Sequence, residues 1–192
     1  MRQHRFRENS GFTLIDVLAV VALIGIIAAI GVPTMVASMG SLRLGQAARD
    51  VEREIQTAKS RAVSKGQPMR VHFDCPAAGQ YRITELIGTA AAPVAADAAA
   101  DRCSLADYPY PAGDADPLTR PNLDGPLREL DPQVAFTVSQ TIEFRPDGTA
   151  YLDPGGGAPF TLIPVNGINI RVARNGVTRT VTVNGLGKVQ LQ

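Results

Sequence analysis

The sequence is poor in the residues that enzymes use for catalysis. It has only two histidines among 192 residues; His4 lies in a basic leader and His72 in a predicted strand, so the two do not form a metal site with each other. No nucleophile elbow, His-Glu-x-x-His motif or phosphate-binding loop occurs. Gly155-Gly156-Gly157 precedes no helical pattern, which favours a flexible turn. We therefore expect a protein that is not an enzyme, with no catalytic residue, metal or cofactor.

Charged residues are missing from a long stretch near the start of the chain. No charged or strongly polar side chain occurs between Val17 and Val32, and with its apolar neighbours this run approaches the roughly 20 residues that span a bilayer core. The leader before it is basic, which the positive-inside rule places in the cytoplasm. Asp16 opens the apolar run, and an Asp at the centre of a membrane helix costs on the order of 2.5–3.5 kcal/mol, less toward the interface. Asp16 therefore needs a polar partner.

Cleavage after Gly11 would provide that partner. The new α-amino group of Phe12 would lie one helical turn from Asp16, and the amine of a neighbouring copy could meet the same carboxylate. Two other interpretations compete. A secretory signal has an apolar core of 7–15 residues, whereas this core is longer and precedes only a weak small-residue site at Ser38-Met39-Gly40. A plain single-span anchor shares the hydropathy and the leader, so only the residue order after Gly11 separates it.

The order Gly11-Phe12-Thr13-Leu14-Ile15-Asp16 resembles the prepilin signal of type IV pilins and type II secretion pseudopilins, in which an acid stands fifth after the glycine. The resemblance implies that a prepilin peptidase cleaves between Gly11 and Phe12 and methylates the Phe12 amine. It also implies that Asp16 pairs subunits in a filament, in the role of the glutamate that most members carry. Asp16 keeps that charge on a side chain that is shorter by one methylene.

The resemblance divides the chain into four parts. Residues 1–11 are the prepilin leader, 12–40 the transmembrane and filament-core helix, 41–66 an amphipathic helix, and 67–192 a β-rich part with an irregular insertion at 88–132. The last two parts together are called the head. The apolar positions of the amphipathic helix recur at spacings of four and three, which predicts one buried stripe: Leu44, Ala48, Val51, Ile55, Ala58 and Ala62.

Beyond this helix the apolar period changes to two, which predicts half-buried strands. Lys65-Gly66-Gln67-Pro68 combines a basic last turn, a glycine and a proline, so the helix should end near Ser64 to Lys65. Ile168, Ile170, Val172, Val181 and Val183 should face the helix. The predicted strands are Met69–Phe73, Tyr81–Leu86, Thr141–Arg145, Thr149–Leu152, Phe160–Val165, Ile168–Ala173, Thr178–Val183 and Lys188–Leu191.

The insertion from Gly88 to Pro132 is rich in Ala, Pro, Asp and Gly, and its prolines oppose long ladders. A loop of this length is either functional or disordered. Asp107, Asp114 and Asp116 lie within it, but their spacing fits no EF-hand, which favours a solvated loop over a calcium site.

Two patterns in the second half resemble the GspH/FimT branch of minor pseudopilins and minor pilins. They are Ile-x-Phe-x-Pro-Asp-Gly at Ile142 to Gly148 and Thr-Val-x-x-x-Gly-Lys-Val at Thr182 to Val189. The resemblance implies an α+β fold: a long N-terminal pilin-type helix, whose first half spans the membrane, packs on an antiparallel β-sheet head.

The two cysteines, Cys75 and Cys103, have 27 residues between them. The resemblance implies a periplasmic head, and because that compartment is oxidising, a disulfide between them is the favoured interpretation. Two separate buried thiols are the alternative. On the chain-entropy model a bridge closing this loop contributes roughly 3–4 kcal/mol.

DNA-binding relatives in this family carry a C-terminal Gly-Arg-x-Arg pattern. The matching stretch here, Gly187-Lys188-Val189-Gln190, keeps one cation, and Arg171, Arg174 and Arg179 flank the Asn175-Gly176 turn nearby. Their phosphate contacts would be salt-sensitive, and no adjacent aromatic side chain offers a stacking platform. We therefore expect at most weak DNA contact.

Three functional hypotheses compete. The favoured one is a minor pseudopilin, a structural subunit of a type II secretion pseudopilus of the GspH type, whose partners are the membrane, prepilin peptidase and other pseudopilins or pilins. The second is a FimT-like minor type IV pilin in pilus assembly or DNA uptake, and the third is an enzyme on a simple anchor. In the first two, the protein crosses the bacterial inner membrane once, with a cytoplasmic leader and a periplasmic head, and assembles into a periplasmic pseudopilus or pilus.

Overall fold

A computed structural model describes residues 13–89, 91–92, 94–99, 101–111, 123–155 and 157–192. The chain forms two compact units, one up to Gly40 and the other from Ser41 to Gln192. A single helix, α1 (Leu14–Lys65), supplies the regular structure described in the first unit and the first element of the second. The predicted helix end is confirmed, and Gly66 follows it with a φ of +67°, the left-handed conformation that suits a helix C-cap.

The predicted apolar stripe of α1 is also confirmed. All six of its positions are buried, from Leu44 at 1% exposure to Ala62 at 0%. The stripe begins at Leu44, inside the second unit, and belongs to the hydrophobic core of the head.

Ten strands follow α1 in the described part of the chain: β1 (Met69–Phe73), β2 (Gln80–Glu85), β3 (Arg128–Glu129), β4 (Ala135–Val138), β5 (Ile142–Phe144), β6 (Ala150–Leu152), β7 (Thr161–Leu162), β8 (Ile168–Arg174), β9 (Val177–Val183) and β10 (Val189–Leu191). They form two antiparallel sheets. The larger has the order β3-β2-β1-β5-β6-β7, and the smaller has the order β10-β9-β8-β4.

Most predicted strands are confirmed to within one or two residues at each end. The segment Phe160–Val165 is the exception, since only Thr161 and Leu162 pair with β6. Strands β3 and β4 were not predicted from the sequence. β3 lies in the proline-rich insertion and pairs over only two residues, and β4 contains a register shift between Phe136 and Val138 that interrupts its alternation.

One hydrophobic core joins the α1 stripe to both sheets. The larger sheet contributes alternate residues of its central strands, such as Val71, Ile83 and Phe144. The smaller sheet contributes the side chains predicted to face the helix, of which Ile168 is partly buried and the others are fully buried: Ile170, Val172, Val181 and Val183.

The opposite face of the larger sheet is buried as well, and this corrects the expectation of half-buried strands. Arg82 and Glu143 are 0% and 1% exposed, and Arg70 and Thr84 are also buried. The described parts of the insertion, including a 3₁₀ helix at Ala95–Ala98, lie over this face. The insertion is mostly irregular, as predicted, but it packs on the sheet as a cover.

Candidate functional site

The first unit presents an apolar helical surface. Leu14–Val32 is long and apolar enough to cross a membrane, and none of it is buried against other described residues. Leu14, Ile15 and Ile27 are 81%, 72% and 62% exposed. A continuous surface of this kind is stable only in lipid or against other apolar helices.

Asp16 belongs to a capping box at the start of this helix. The backbone N–H and the hydroxyl of Thr13 both donate to Asp16 Oδ2, at 3.0 and 2.7 Å, and the Asp16 N–H approaches the Thr13 hydroxyl oxygen at 3.4 Å. This reciprocal pairing satisfies two backbone donors at the first turn. The sequence signal was available, since a threonine followed three residues later by an acid before an apolar run is a known helix-start pattern.

The predicted cleavage and methylation sites, Gly11 and Phe12, lie outside the described residues. Cleavage there would leave the capping box intact, because the backbone N–H that it uses belongs to Thr13. Both bonds from Thr13 end on Oδ2, and a carboxylate has a second oxygen with which to accept from an amine.

In the head, buried arginines hold the insertion on the outer face of the larger sheet. The guanidinium of Arg82 donates to the carbonyl oxygens of Gly125 at 2.8 Å, Tyr108 at 2.7 Å, and Cys103 and Ser104 at 3.3 Å each. Burial lowers the pKa of Arg82. The pKa of an arginine side chain is ordinarily so high that the guanidinium stays charged in proteins.

A second arginine pairs with a buried carboxylate at the same place. Arg102 makes a bidentate contact with Asp124, donates to the Glu85 carbonyl oxygen at 2.9 Å and lies 4.4 Å from the centre of the Tyr108 ring. Asp124 also accepts from the Glu85 backbone N–H at 2.8 Å. Asp124 Oδ2 also lies 3.8 Å from the Arg82 guanidinium, so one buried carboxylate compensates the charges of two buried arginines.

Another buried ion pair joins β1 to β5. Arg70 donates twice to Glu143 Oε2, at 3.0 and 2.9 Å, while Arg145 donates to Oε1 at 3.2 Å. The Arg70 guanidinium also lies 4.3 Å from the centre of the Phe160 ring and 3.4 Å from the Asp97 carbonyl oxygen. The pair therefore connects the sheet to both segments that cover it.

Between this pair and the cover lies a cavity of about 540 Å³. His72 and Cys75 line it beside Arg70 and Glu143. His72 Nδ1 lies 3.5 Å from the Thr141 hydroxyl. Burial, together with the charges of Arg70 and Arg102, lowers the pKa of His72 to about 3, so the imidazole is neutral at pH 7.

Cys75 and Cys103 form a disulfide with a Cα–Cα distance of 5.6 Å. Cys75 follows β1, and Cys103 lies in the insertion beside Arg102, fully buried. The bridge therefore fixes the insertion at the same region that Arg82 and Arg102 hold by hydrogen bonds.

The four cations predicted to contact DNA do not converge. Arg171 pairs with Thr180 and Arg179 with Val172, and because successive side chains alternate between faces, Arg171 projects from the face opposite to that of Arg174 and Arg179. The Arg174 guanidinium donates to the Gln133 side chain. Lys188 lies beyond the far end of β9, about 20 Å along the strand from the Asn175-Gly176 turn.

A membrane-length helix that continues into a helix packed on antiparallel sheets defines the class of pilin-like filament subunits. A family model described as Type II transport protein GspH matches residues 47–187. The chain belongs to this family, whose members are minor pseudopilins and minor pilins that assemble with other such subunits in filaments. They are structural proteins, and the N-terminal apolar helix makes this one membrane-anchored.

Solved structures that are similar to this chain include a minor pilin and a minor pseudopilin, both at low identity. The type IV minor pilin FimU of Pseudomonas aeruginosa is 15% identical, with a TM-score of 0.44 over 78% of this chain and 92% of that one. The minor pseudopilin EpsH from the Type 2 Secretion System of Vibrio cholerae is 13% identical, with a TM-score of 0.43 over 78% of this chain and 96% of that one. Comparison with curated proteins gives no significant match.

Proposed function

We propose that this chain is a structural subunit of a type II secretion pseudopilus, without catalytic activity, which assembles through its N-terminal helix. One observation carries the proposal: a membrane-length apolar helix directly precedes a head that matches the GspH family over residues 47–187. The core of the head begins at Leu44, and none of Leu14–Val32 is buried. That segment is left for lipid and for the helices of other subunits.

Processing at Gly11 is the first part of the proposal. A prepilin peptidase cleaves before Phe12 and methylates its amine. The mature protein is then anchored in the bacterial inner membrane, with its head in the periplasm. Mass spectrometry of the N-terminal peptide from a host with the peptidase should show a methylated Phe12. Gly11→Leu should leave the chain uncut but still in the membrane, whereas Ser10→Ala should be processed normally. An intact leader, or a start near Ser41, would remove the proposal.

Asp16 has two separable roles in this proposal, since it caps the helix through Thr13 and pairs with the amine of Phe12 in its own or a neighbouring subunit. Asp16→Asn keeps an oxygen that can accept from Thr13 but removes the charge, whereas Asp16→Glu keeps the charge on a longer arm. Filament incorporation should survive Glu and be lost with Asn and Ala. Thr13→Ala removes both contacts of the Thr13 hydroxyl but keeps the backbone N–H bond to Asp16, and it serves as the matched control, which should assemble. Normal incorporation of Asp16→Asn would leave capping as the only role.

Secretion is distinguished from pilus function by the phenotype of a deletion in the native host. Loss of protein secretion supports the type II assignment. Loss of pili or of DNA uptake with normal secretion would favour the alternative, a FimT-like minor type IV pilin.

DNA binding by the head is expected to be weak and to be lost at physiological salt. The reason is that its four candidate cations are dispersed: Arg171, Arg174, Arg179 and Lys188. Tight, salt-resistant gel shifts of the full chain, abolished by Arg174→Ala or Lys188→Ala, would favour the alternative as well.

A further inference from the structure

Three side chains with metal-ligating atoms meet at the edge of the cavity in the head. One ligand atom from each of His72, Cys75 and Cys103 lies within 4.8 Å of the other two. His72 comes from β1, Cys75 follows that strand by two residues, and Cys103 arrives from the insertion. Only the packing of the insertion brings Cys103 to the other two, which are three positions apart in sequence.

The surroundings of His72 match those of a metal ligand. Its Nε2 atom is buried and has no hydrogen-bond partner in the described part of the chain, although nearly all buried polar atoms in proteins are paired. The other ring nitrogen, Nδ1, lies 3.5 Å from the Thr141 hydroxyl. A ligating imidazole normally has this arrangement, with one nitrogen on the metal and the other held by a hydrogen bond.

We propose that the dithiol form of this protein binds a zinc-type divalent cation through His72, Cys75 and Cys103. Zinc takes sulfur ligands at about 2.3 Å and imidazole nitrogen at about 2.0–2.1 Å in a tetrahedron, so its ligand atoms lie roughly 4 Å from one another or less. In the oxidised form the two sulfur atoms are bonded to each other and the imidazole lies within 4.8 Å of them, so reduction followed by side-chain rotation would separate the sulfur atoms to that spacing. His72 and Cys75 both line the cavity, which has room for a water molecule as a fourth ligand.

Metal and disulfide are alternative states of the same two sulfur atoms. Binding of the cation converts both thiols to thiolates and releases two protons without any electron transfer. Disulfide formation instead transfers two electrons and two protons from the thiols to an oxidant, such as a second disulfide that becomes two thiols. Because the chain is synthesised with thiols, the dithiol form precedes the oxidised one. This inference does not depend on the proposed role in secretion.

The test uses the full chain in detergent, reduced with a phosphine under anaerobic conditions and titrated with Co²⁺ as a spectroscopic probe. One Co²⁺ per chain should bind, with sulfur-to-cobalt charge-transfer bands and tetrahedral d–d bands, and Zn²⁺ should displace it. The oxidised chain should show none of these bands. Absence of the bands in the reduced chain, or equal binding by the oxidised chain, would overturn the proposal.

Variants identify the ligands. Cys75→Ser and Cys103→Ser should each lose the tetrahedral cobalt spectrum, and His72→Ala and His72→Gln should each weaken Zn²⁺ binding at least about 10-fold, the cost of losing even an outer partner of a metal site. Ser104→Ala, next to Cys103, is the matched control and should bind like the wild type. Circular dichroism selects the variants that remain folded. Unchanged Zn²⁺ affinity in both folded His72 variants would refute the histidine ligand and the proposal with it.

Discussion

Both faces of the central strands of the six-stranded sheet are buried, but they are covered in different ways. The inner face packs aliphatic and aromatic side chains such as Val71, Ile83 and Phe144 against α1. The outer face carries Arg70, Arg82 and Glu143, and its cover is the insertion together with the segment around Phe160.

The difference teaches how a polar face can be buried. Apolar contacts are non-directional, so the inner face tolerates small shifts of its partners. The outer face depends on directional bonds, since Arg82 alone satisfies four carbonyl oxygens of the cover. Its stability should therefore be concentrated in a few residues, and removal of one charge should cost more than removal of one methyl group.

The largest effect is expected from Asp124→Ala. The substitution leaves Arg102 buried without its carboxylate and removes the acceptor for the Glu85 N–H. Breaking a buried pair from one side costs about 3–5 kcal/mol. Urea unfolding of the full chain, followed by circular dichroism, should show this loss. The double variant Arg102→Met with Asp124→Leu should recover part of the loss, because Arg102 no longer leaves an unpaired charge, whereas Arg82 still lacks the Asp124 carboxylate that lies 3.8 Å from it. Equal losses in both variants would indicate that the pair itself stabilises the cover.

Removal of the disulfide is expected to have the next largest effect. Cys75→Ala with Cys103→Ala releases the insertion from β1, and a loop of this length predicts a loss of roughly 3–4 kcal/mol by the chain-entropy model. The free energy of unfolding of the oxidised wild type, compared with that of the double variant in a metal chelator, measures it. A difference below about 1 kcal/mol would mean that the buried arginines alone hold the insertion.

A smaller effect involves Tyr81 on the inner face and depends on pH. Burial, followed by the charges of Glu54 and Asp50, raises the pKa of Tyr81 to about 12. Between pH 10 and 12 the unfolded chain therefore loses this proton while the folded chain keeps it, so stability should fall as pH rises, by about 1.4 kcal/mol per unit. Tyr81→Phe should remove this contribution. If the free energies of unfolding of the wild type and of Tyr81→Phe changed by the same amount between pH 9 and 11, the raised pKa of Tyr81 would be contradicted.

The smallest effect is expected from Ile142→Val on the inner face. Ile142 is fully buried in the core cluster, and deletion of one methyl group there costs about 0.5–1.5 kcal/mol. The same unfolding assay applies. A loss as large as that of Asp124→Ala would show that the inner face is no more tolerant than the outer one.

Much of the fold could be predicted because the spacing of apolar residues along the chain indicates which segments form helices and which form strands. The six-residue stripe of α1, the helix end at Lys65 and most strands follow from spacings of 3.6 and 2 and from glycine and proline positions. The short strands β3 and β4 were missed, since two paired residues and a shifted register leave no periodic signal. The Thr13–Asp16 capping box was detectable from its spacing.

The candidate sites in the head could be predicted less well. His72 and Cys75 are three positions apart, so their proximity follows from the sequence. Cys103 lies beside them only because the insertion packs on the outer face of the larger sheet. The four C-terminal cations look adjacent in sequence, yet strand alternation and strand length separate them.

The sequence by itself determined the membrane-length helix, the amphipathic continuation of that helix and the antiparallel strands, because each depends on residues that are neighbours along the chain. Only the tertiary structure decided that the outer face of the larger sheet is buried. Alternation shows which side chains share a face of a strand, but it does not show what covers that face. The cover consists of a segment without periodicity, held by long-range bonds from Arg82 and Arg102 and by a disulfide, and such contacts exist only once the chain has folded.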